Sequence, residues 1–240
     1  QNLANIKDDN GQFLLRLDDG RVIDTKGWAG WEWTHGVGLY GIYQYYQQTG
    51  DTAMRDIIDG WFADRFAEGA TTKNVNTMAP FLTLAYRYEE TGRQEYLPWL
   101  DSWAEWAMHE MPRTEQGGMQ HITLAEENHQ QMWDDTLMMT VLPLAKIGKL
   151  LNRPQYIEEA TYQFLLHVQN LMDKETGLWF HGWNYDGRHN FARARWARGN
   201  SWLTIVIPDF LELVDLPEGS AVRRYLLQVL NAQIAALAKC

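Results

Sequence analysis

The run Met132-Trp133-Asp134-Asp135-Thr136-Leu137-Met138-Met139 sets two adjacent carboxylates beside a tryptophan, at the start of an otherwise apolar segment. Burying an unpaired carboxylate costs several kcal/mol or drives its pKa upward. An acid with a raised pKa beside a flat ring can protonate a sugar. Neighbours on a helix project about 100° apart, so the two aspartates are not expected to act as an opposed pair flanking one bond. The spacing predicts that one caps the helix or its first turn and that the other is free for chemistry. Spacing alone does not say which. Paired aspartates also occur in metal-binding motifs, but those want a third acid one turn on, where Met138 and Met139 stand. Glu126 and His129 have an E-x-x-H spacing that a di-iron bundle would need twice, and it occurs once. No metal and no cofactor are expected.

A second constellation runs from Phe180-His181-Gly182-Trp183 to Arg193-Ala194-Arg195-Trp196-Ala197-Arg198-Gly199-Asn200-Ser201-Trp202. It gathers arginines and tryptophans just before a helix, with Asn200 or Ser201 as the expected N-cap. Guanidinium groups bind carboxylates in bidentate fashion, and a helix N-terminus adds favourable potential for an anion. This inventory suits a planar, carboxylated sugar ring. The chain carries 12 Trp and 11 Tyr in 240 residues. Aromatic rings first serve packing. The clusters Trp28/Trp31/Trp33 and Trp179/Trp183 suggest that some serve as sugar platforms instead.

Helices must position these residues. Apolar residues at i, i+3, i+4 predict helical cores near 34–48, 53–66, 77–91, 95–110, 134–150, 154–171, 200–214 and 219–237. The first 25 or so residues read as an irregular or extended lead-in, and short strands are expected near 13–23 and 178–183. Thr49-Gly50 recurs 42 residues later as Thr91-Gly92 (91 − 49), each ending one helix before another starts. Repeated hairpins of this kind predict a solenoid or a closed toroid. The longer connections 67–76, 111–133 and 172–199 would lie together at one end and carry function. The net charge of −10 argues against nucleic acid as a partner and would repel an acidic ligand at long range. No run of apolar residues is long enough to span a membrane. The single cysteine, Cys240, leaves no internal disulfide framework and favours a cytoplasmic location. The chain opens at Gln1, as a chain that has lost a leader would.

The run Trp33-Thr34-His35-Gly36-Val37-Gly38-Leu39-Tyr40-Gly41-Ile42, the Lys73–Pro80 loop, Trp133-Asp134-Asp135-Thr136, His181-Gly182-Trp183 and Trp196–Trp202 occur in an order that resembles the unsaturated rhamnogalacturonyl hydrolases, glycoside hydrolase family 105. The related family 88 unsaturated glucuronyl hydrolases share the general plan. The resemblance runs from about residue 28 to about residue 214. It implies an all-α fold, an (α/α)6 toroid of helical hairpins, occupying residues 1–240 as one domain. It also implies a substrate, the Δ4,5-unsaturated galacturonyl residue at the non-reducing end of a pectin (rhamnogalacturonan) fragment. The implied reaction protonates the C4=C5 bond and adds water at C5, after which the hemiketal opens and expels the remaining sugar chain.

By the same resemblance Asp135 is the catalytic acid and base. Asp134 takes a structural or polar-network place in the pocket. Trp133, Asn76, His181, Trp196, Arg198 and Trp202 line it, with Arg198 on the uronate carboxylate and the tryptophans stacking. Asn76 stands where family members often carry a second aspartate, which leaves Asp135 as the sole acid/base. Eight helices make about four of the six hairpins, so the toroid is expected to be C-terminally short and covered by an oligomeric contact or another partner. Two other readings go with these residues. One is an inverting glycosidase on saturated chains, with Glu126 or Glu127 as second carboxylate; the other is a non-catalytic sugar-binding module.

Overall fold

The computed structural model describes residues 10–16, 20–24, 27–69 and 71–240. Parts of the expected lead-in, residues 1–9, 17–19, 25 and 26, lie outside the described residues. The rest of that lead-in holds a small antiparallel hairpin, β1 (Leu14–Arg16) and β2 (Val22–Asp24), with Leu15 opposite Ile23. The architecture is that of an all-α protein, a toroid-type array of helical hairpins with little strand.

Four hairpins follow one another: α1 (Trp33–Thr49) with α2 (Thr52–Glu68), α4 (Phe81–Thr91) with α5 (Leu97–Glu105), α6 (Leu142–Leu150) with α7 (Pro154–Leu171), and α8 (Ala197–Val214) with α9 (Ala221–Leu237). A single turn, α3 (Val75–Met78), precedes α4. The first helices of the hairpins, α1, α4, α6 and α8, pack on one another in succession, and the second helices lie against them from outside. The repeated Thr-Gly stop is what the sequence anticipates. Gly50 and Gly92 both end their helices in the left-handed conformation, where an L side chain would be strained.

Burial separates the inner helices from the outer ones. Leu137 through Gly148 is continuously buried, which is why this segment reads as apolar on every side. Outer α2 turns one face inward with Ile58, Trp61 and Phe62. The aromatic core centres on Trp31, which stacks on Trp103 at 5.9 Å and meets Trp61 edge-on at 5.7 Å. Two polar contacts cross this core. Arg87 grips Asp59 with two bonds of 2.9 Å and also reaches Glu90. Tyr40 of α1 donates to Asp209 of α8 at 2.8 Å, tying the first inner helix to the fourth.

Three details differ from the expectations. The helix expected at 95–110 is α5 followed by a π-helical turn, Trp106–Glu110. The helix expected from 134 becomes helical only at Asp135, and a second π turn, Leu137–Val141, leads into α6. A strand that periodicity does not reveal, β3 (Gln131–Trp133), pairs antiparallel with β4 (Gly182–Asn184), Met132 opposite Trp183. At three residues each, these strands are too short to show an alternating pattern. Among the described residues, no helix is long and apolar enough to cross a membrane.

Candidate active site

The two aspartates stand where β3 gives way to the helix. Asp134 sits in the turn, its N–H donating to the His181 carbonyl at 3.0 Å, and Asp135 opens the helix. The pair therefore does not share one helical frame, and the 100° separation expected for helix neighbours does not apply. Both side chains converge on one imidazole. His181 Nδ1 lies 2.8 Å from Asp134 Oδ1 and 3.3 Å from Asp135 Oδ2. The β3–β4 ladder sets this geometry, since Trp133 pairs with Gly182 and so brings His181 beside Asp134.

The N-terminus of α8 closes the cluster from the other side. Arg198 Nη1 donates to Asp135 Oδ1 at 2.7 Å, and Trp202 Nε1 donates to the same oxygen at 3.1 Å. Arg198 lies over the rings of both Trp196 (4.1 Å) and Trp33 (5.2 Å), so its guanidinium is held by two flat faces. Trp33 meets Trp202 edge-on at 5.9 Å. Gly199 makes the close approach possible. A Cβ there would fall 2.4 Å from Asp134 Oδ2. The N-cap of α8 is Trp196, not Asn200 or Ser201 as the sequence suggests. Asn200 is instead buried and clasps the Trp179 backbone, accepting from its N–H at 2.9 Å and donating to its carbonyl at 3.0 Å.

Burial and charge give the two carboxyls opposite character. Asp134 has no exposed surface, and desolvation pushes its pKa up to about 7 against the pull of the His181 bond. Burial acts on Asp135 in the same direction. Hydrogen bonding to Asp134 and the positive charges of His181 and Arg198 outweigh it, and Asp135 is held below the ordinary carboxylate range. Burial disfavours charge on His181, but the Asp134 bond and both carboxylates raise its pKa above the usual value. Near neutral pH the trio thus holds a proton at Asp134 or His181 while Asp135 is the anion facing Arg198. Asp134 Oδ2 and Asp135 Oδ2 are buried without a hydrogen-bond partner. The three side chains offer ligand atoms within 4.8 Å of one another and could hold a small cation, but Arg198 already supplies positive charge to Asp135.

The other expected residues are distributed around this cluster. Trp133 is partly buried, stacks face to face on His121 at 4.2 Å and 1°, and approaches His181 at 4.8 Å. Trp196 is 44% exposed and offers an open face, whereas Trp202 is 5% exposed. Trp202 acts here through its N–H rather than as an open platform. Asn76 lies in α3, which packs against α1 and against the π turn beyond Asp135. Of the proposed sugar platforms, Trp31 and Trp179 belong to the core, with 6% and 0% exposure. Glu126 and Glu127 are exposed on a loop. His129 is paired there with Asp186 at 3.1 Å.

His121, in the long irregular stretch before β3, is buried, bonds the Thr136 hydroxyl at 3.1 Å, and burial lowers its pKa to about 4, so it is neutral. A single histidine in a long irregular stretch carries no spacing signal that could have exposed this role.

Fold and site together define a helical toroid with a buried cluster of two carboxylates, a histidine and an arginine. The sequence model of Glycosyl Hydrolase Family 88 matches residues 5–240, and the chain belongs to the glycoside hydrolase family 88/105 group. Over 192 residues it is 29% identical to the unsaturated rhamnogalacturonyl hydrolase YesR of Bacillus subtilis (strain 168), covering 79% of this chain and 56% of that protein. Two crystal structures described as possible members of the GH105 family match all of this chain. The one from Klebsiella pneumoniae is 92% identical with a TM-score of 0.98, and the one from Salmonella enterica serovar Paratyphi A is 88% identical with a TM-score of 0.97. The chain spans 63% of the length of each of these two.

Proposed function

We propose that this site hydrates the double bond of a Δ4,5-unsaturated uronyl residue at the non-reducing end of a pectin-derived oligosaccharide, in the cytoplasm, with Asp135 as acid and base. The observation that carries the reading is the Asp135 carboxylate, whose Oδ1 is occupied by Arg198 and Trp202 while Oδ2 lies 3.3 Å from His181 Nδ1. A uronate carboxylate is the natural competitor for Arg198. When it draws the guanidinium away, Asp135 loses its counter-charge and gains a neighbouring anion, and both changes raise its pKa. The proton stored at Asp134 or His181 then moves to Asp135.

Asp135 Oδ2 gives that proton to C4, and the positive charge forms at C5, stabilised by the ring oxygen. Water bonds to C5 and gives a proton back to Asp135. The hemiketal opens, and the anomeric carbon releases the remaining sugar chain. One carboxyl thus performs both transfers, and no second carboxylate across the pocket is required. Asp134, without exposed surface, fits a proton-holding partner better than a sugar contact.

The test uses rhamnogalacturonan digested with a lyase and follows the ultraviolet absorbance of the double bond. The parent chain should consume it, and Asp135→Asn should bind the oligosaccharide without consuming it. Turnover by Asp135→Asn would sink the assignment. New reducing ends with unchanged absorbance would favour direct glycosidic cleavage of saturated chains instead, and binding alone would favour a non-catalytic module.

A further inference from the structure

We propose that Gln233, on the outer helix α9, is a positioning residue that acts through Asn200 to fix the distance between the two arms of the pocket, the strand that carries His181 and the first turn of α8 that carries Arg198. The starting observation is a buried carboxamide with all its bonds made. Asn200 Oδ1 accepts from the Trp179 N–H at 2.9 Å and from Gln233 Nε2 at 3.2 Å. Asn200 Nδ2 donates to the Trp179 carbonyl at 3.0 Å and to the Trp196 carbonyl at 3.2 Å. A carboxamide has two acceptor sites and two donors, so none is left over. Gln233 Nε2 also donates to the Asn200 backbone carbonyl at 2.8 Å. Both groups that face this nitrogen are acceptors, which dictates which end of the Gln233 amide points at them.

The clasp sits symmetrically behind the chemistry. Trp179 stands two residues before His181, and Asn200 two residues after Arg198. His181 lies 2.8 Å from Asp134 and 3.3 Å from Asp135, and Arg198 lies 2.7 Å from Asp135. On its other side the strand is bridged to Met172. The Phe180 N–H donates to the Leu171 carbonyl, and the Asp173 N–H to the Leu178 carbonyl, both at 2.8 Å. The N–H and carbonyl of Trp179 therefore point away from that bridge, and Asn200 takes both. Helix α9 backs the same strand. A Cβ at Gly177 would fall 2.7 Å from the carbonyl oxygen of Ala232, the neighbour of Gln233.

Stability alone does not account for Gln233. It has no exposed surface, and its Oε1 is buried without a hydrogen-bond partner among the described residues. An unsatisfied buried oxygen is a cost that a methionine of similar length would not carry. What the glutamine supplies is a second hold on Asn200, at its backbone and at its side chain. Held by Trp179 and Trp196 on one side and by Gln233 on the other, the carboxamide has one orientation, and the His181 strand and α8 keep one separation.

The geometry stands on its own, whereas its effect on rate rests on the hydration reading. Two variants separate positioning from packing. Gln233→Met keeps the length and removes the donor. Val229→Ala truncates a buried apolar side chain one turn earlier on α9. A displacement of about 1 Å in a catalytic array costs about 100-fold, so a loosened clasp should lower kcat about tenfold in Gln233→Met. KM should stay within about threefold, because no binding group is removed, and the melting temperature should stay close to that of the parent. Val229→Ala should do the reverse, lowering the melting temperature while kcat per folded molecule is unchanged. The ring-nitrogen chemical shift of His181 and the side-chain amide signals of Asn200, read by NMR, should move in Gln233→Met and stay in place in Val229→Ala. Parental kcat in Gln233→Met, or unmoved His181 and Asn200 signals, would overturn the proposal, as would kcat losses that follow melting temperature in both variants. If the parent leaves the double bond of lyase-digested rhamnogalacturonan intact while the two sets of signals still move only in Gln233→Met, the hydration reading fails and the positioning role stands.

Discussion

Gly199→Ala isolates the contact between α8 and the carboxylate pair. The new Cβ would fall 2.4 Å from Asp134 Oδ2, 2.8 Å from Trp196 Nε1 and 2.9 Å from Trp196 Cδ1. An ordinary contact is about 3.4 Å, so α8 or Asp134 must give way by about 1 Å. Overpacking of this kind costs about 1–3 kcal/mol. Alanine returns about 1 kcal/mol over glycine inside a helix. The net loss of stability is therefore about 0–2 kcal/mol, a shift of only a few degrees in melting temperature. Activity should fare much worse. Arg198 and Trp202 lie either side of Gly199 on the same helix, so a shift of α8 moves both donors off Asp135. A displacement of about 1 Å in a catalytic array costs about 100-fold in rate. The assay pairs thermal unfolding with loss of double-bond absorbance. A variant that keeps parental kcat/KM would refute the claim that the approach of α8 to Asp134 sets the site.

Further outcomes follow from the same geometry. Activity should fall about tenfold per pH unit above about pH 7, where Asp134 loses the proton that the site needs; a flat profile to pH 9 would remove Asp134 as the proton store. Asp134 is protonated in the folded chain up to about pH 7 but ionises near 3.8 when unfolded, so it destabilises the fold progressively as pH rises between those values. Asp134→Asn lacks that loss, and its melting temperature relative to the parent should climb from pH 5 to pH 8. Arg198→Ala should raise KM for uronyl substrates by about 100-fold and raise the pKa of Asp135, visible as a shifted acid limb. Arg87→Ala, far from the pocket, removes a buried guanidinium from Asp59 and Glu90, which stay partly solvated and keep Arg93 and Tyr43, and should cost about 1–3 kcal/mol in urea unfolding with kcat per folded molecule unchanged.

The helical hairpins were legible because their signals are local: apolar periodicity, and Gly50 and Gly92 as stops. The aspartate pair, His181 and Arg198 stand out because charged residues beside tryptophan are conspicuous, whereas only the family resemblance, not spacing, sets Asp135 apart from Asp134. What sequence could not give was the relation between Asp134 and Asp135. That relation depends on a strand boundary of one residue, fixed by pairing with a segment about 50 residues away. Trp31 and Trp179 looked like sugar platforms because composition does not distinguish a ring facing a pocket from one facing a core. His121 escapes notice for a related reason. It acts through a partner distant in sequence, Trp133, and an isolated His in a loop looks like any solvated residue.

The π turn at Leu137–Val141 has a consequence for how this helix can vary. A π turn accommodates one residue more than the α-helix it interrupts. The segment therefore keeps two phases, one aligned with Asp135 and the other with the packing of α6, offset by roughly 100°. Deleting a single residue within the turn would merge the phases. The side chains of α6 could keep their places among their neighbours while Asp135 swings away from Arg198, or Asp135 could stay while every buried side chain of α6 is rotated onto a different neighbour. Pocket and core are thus separately adjustable along one continuous helix, and the surplus residue is the joint between them.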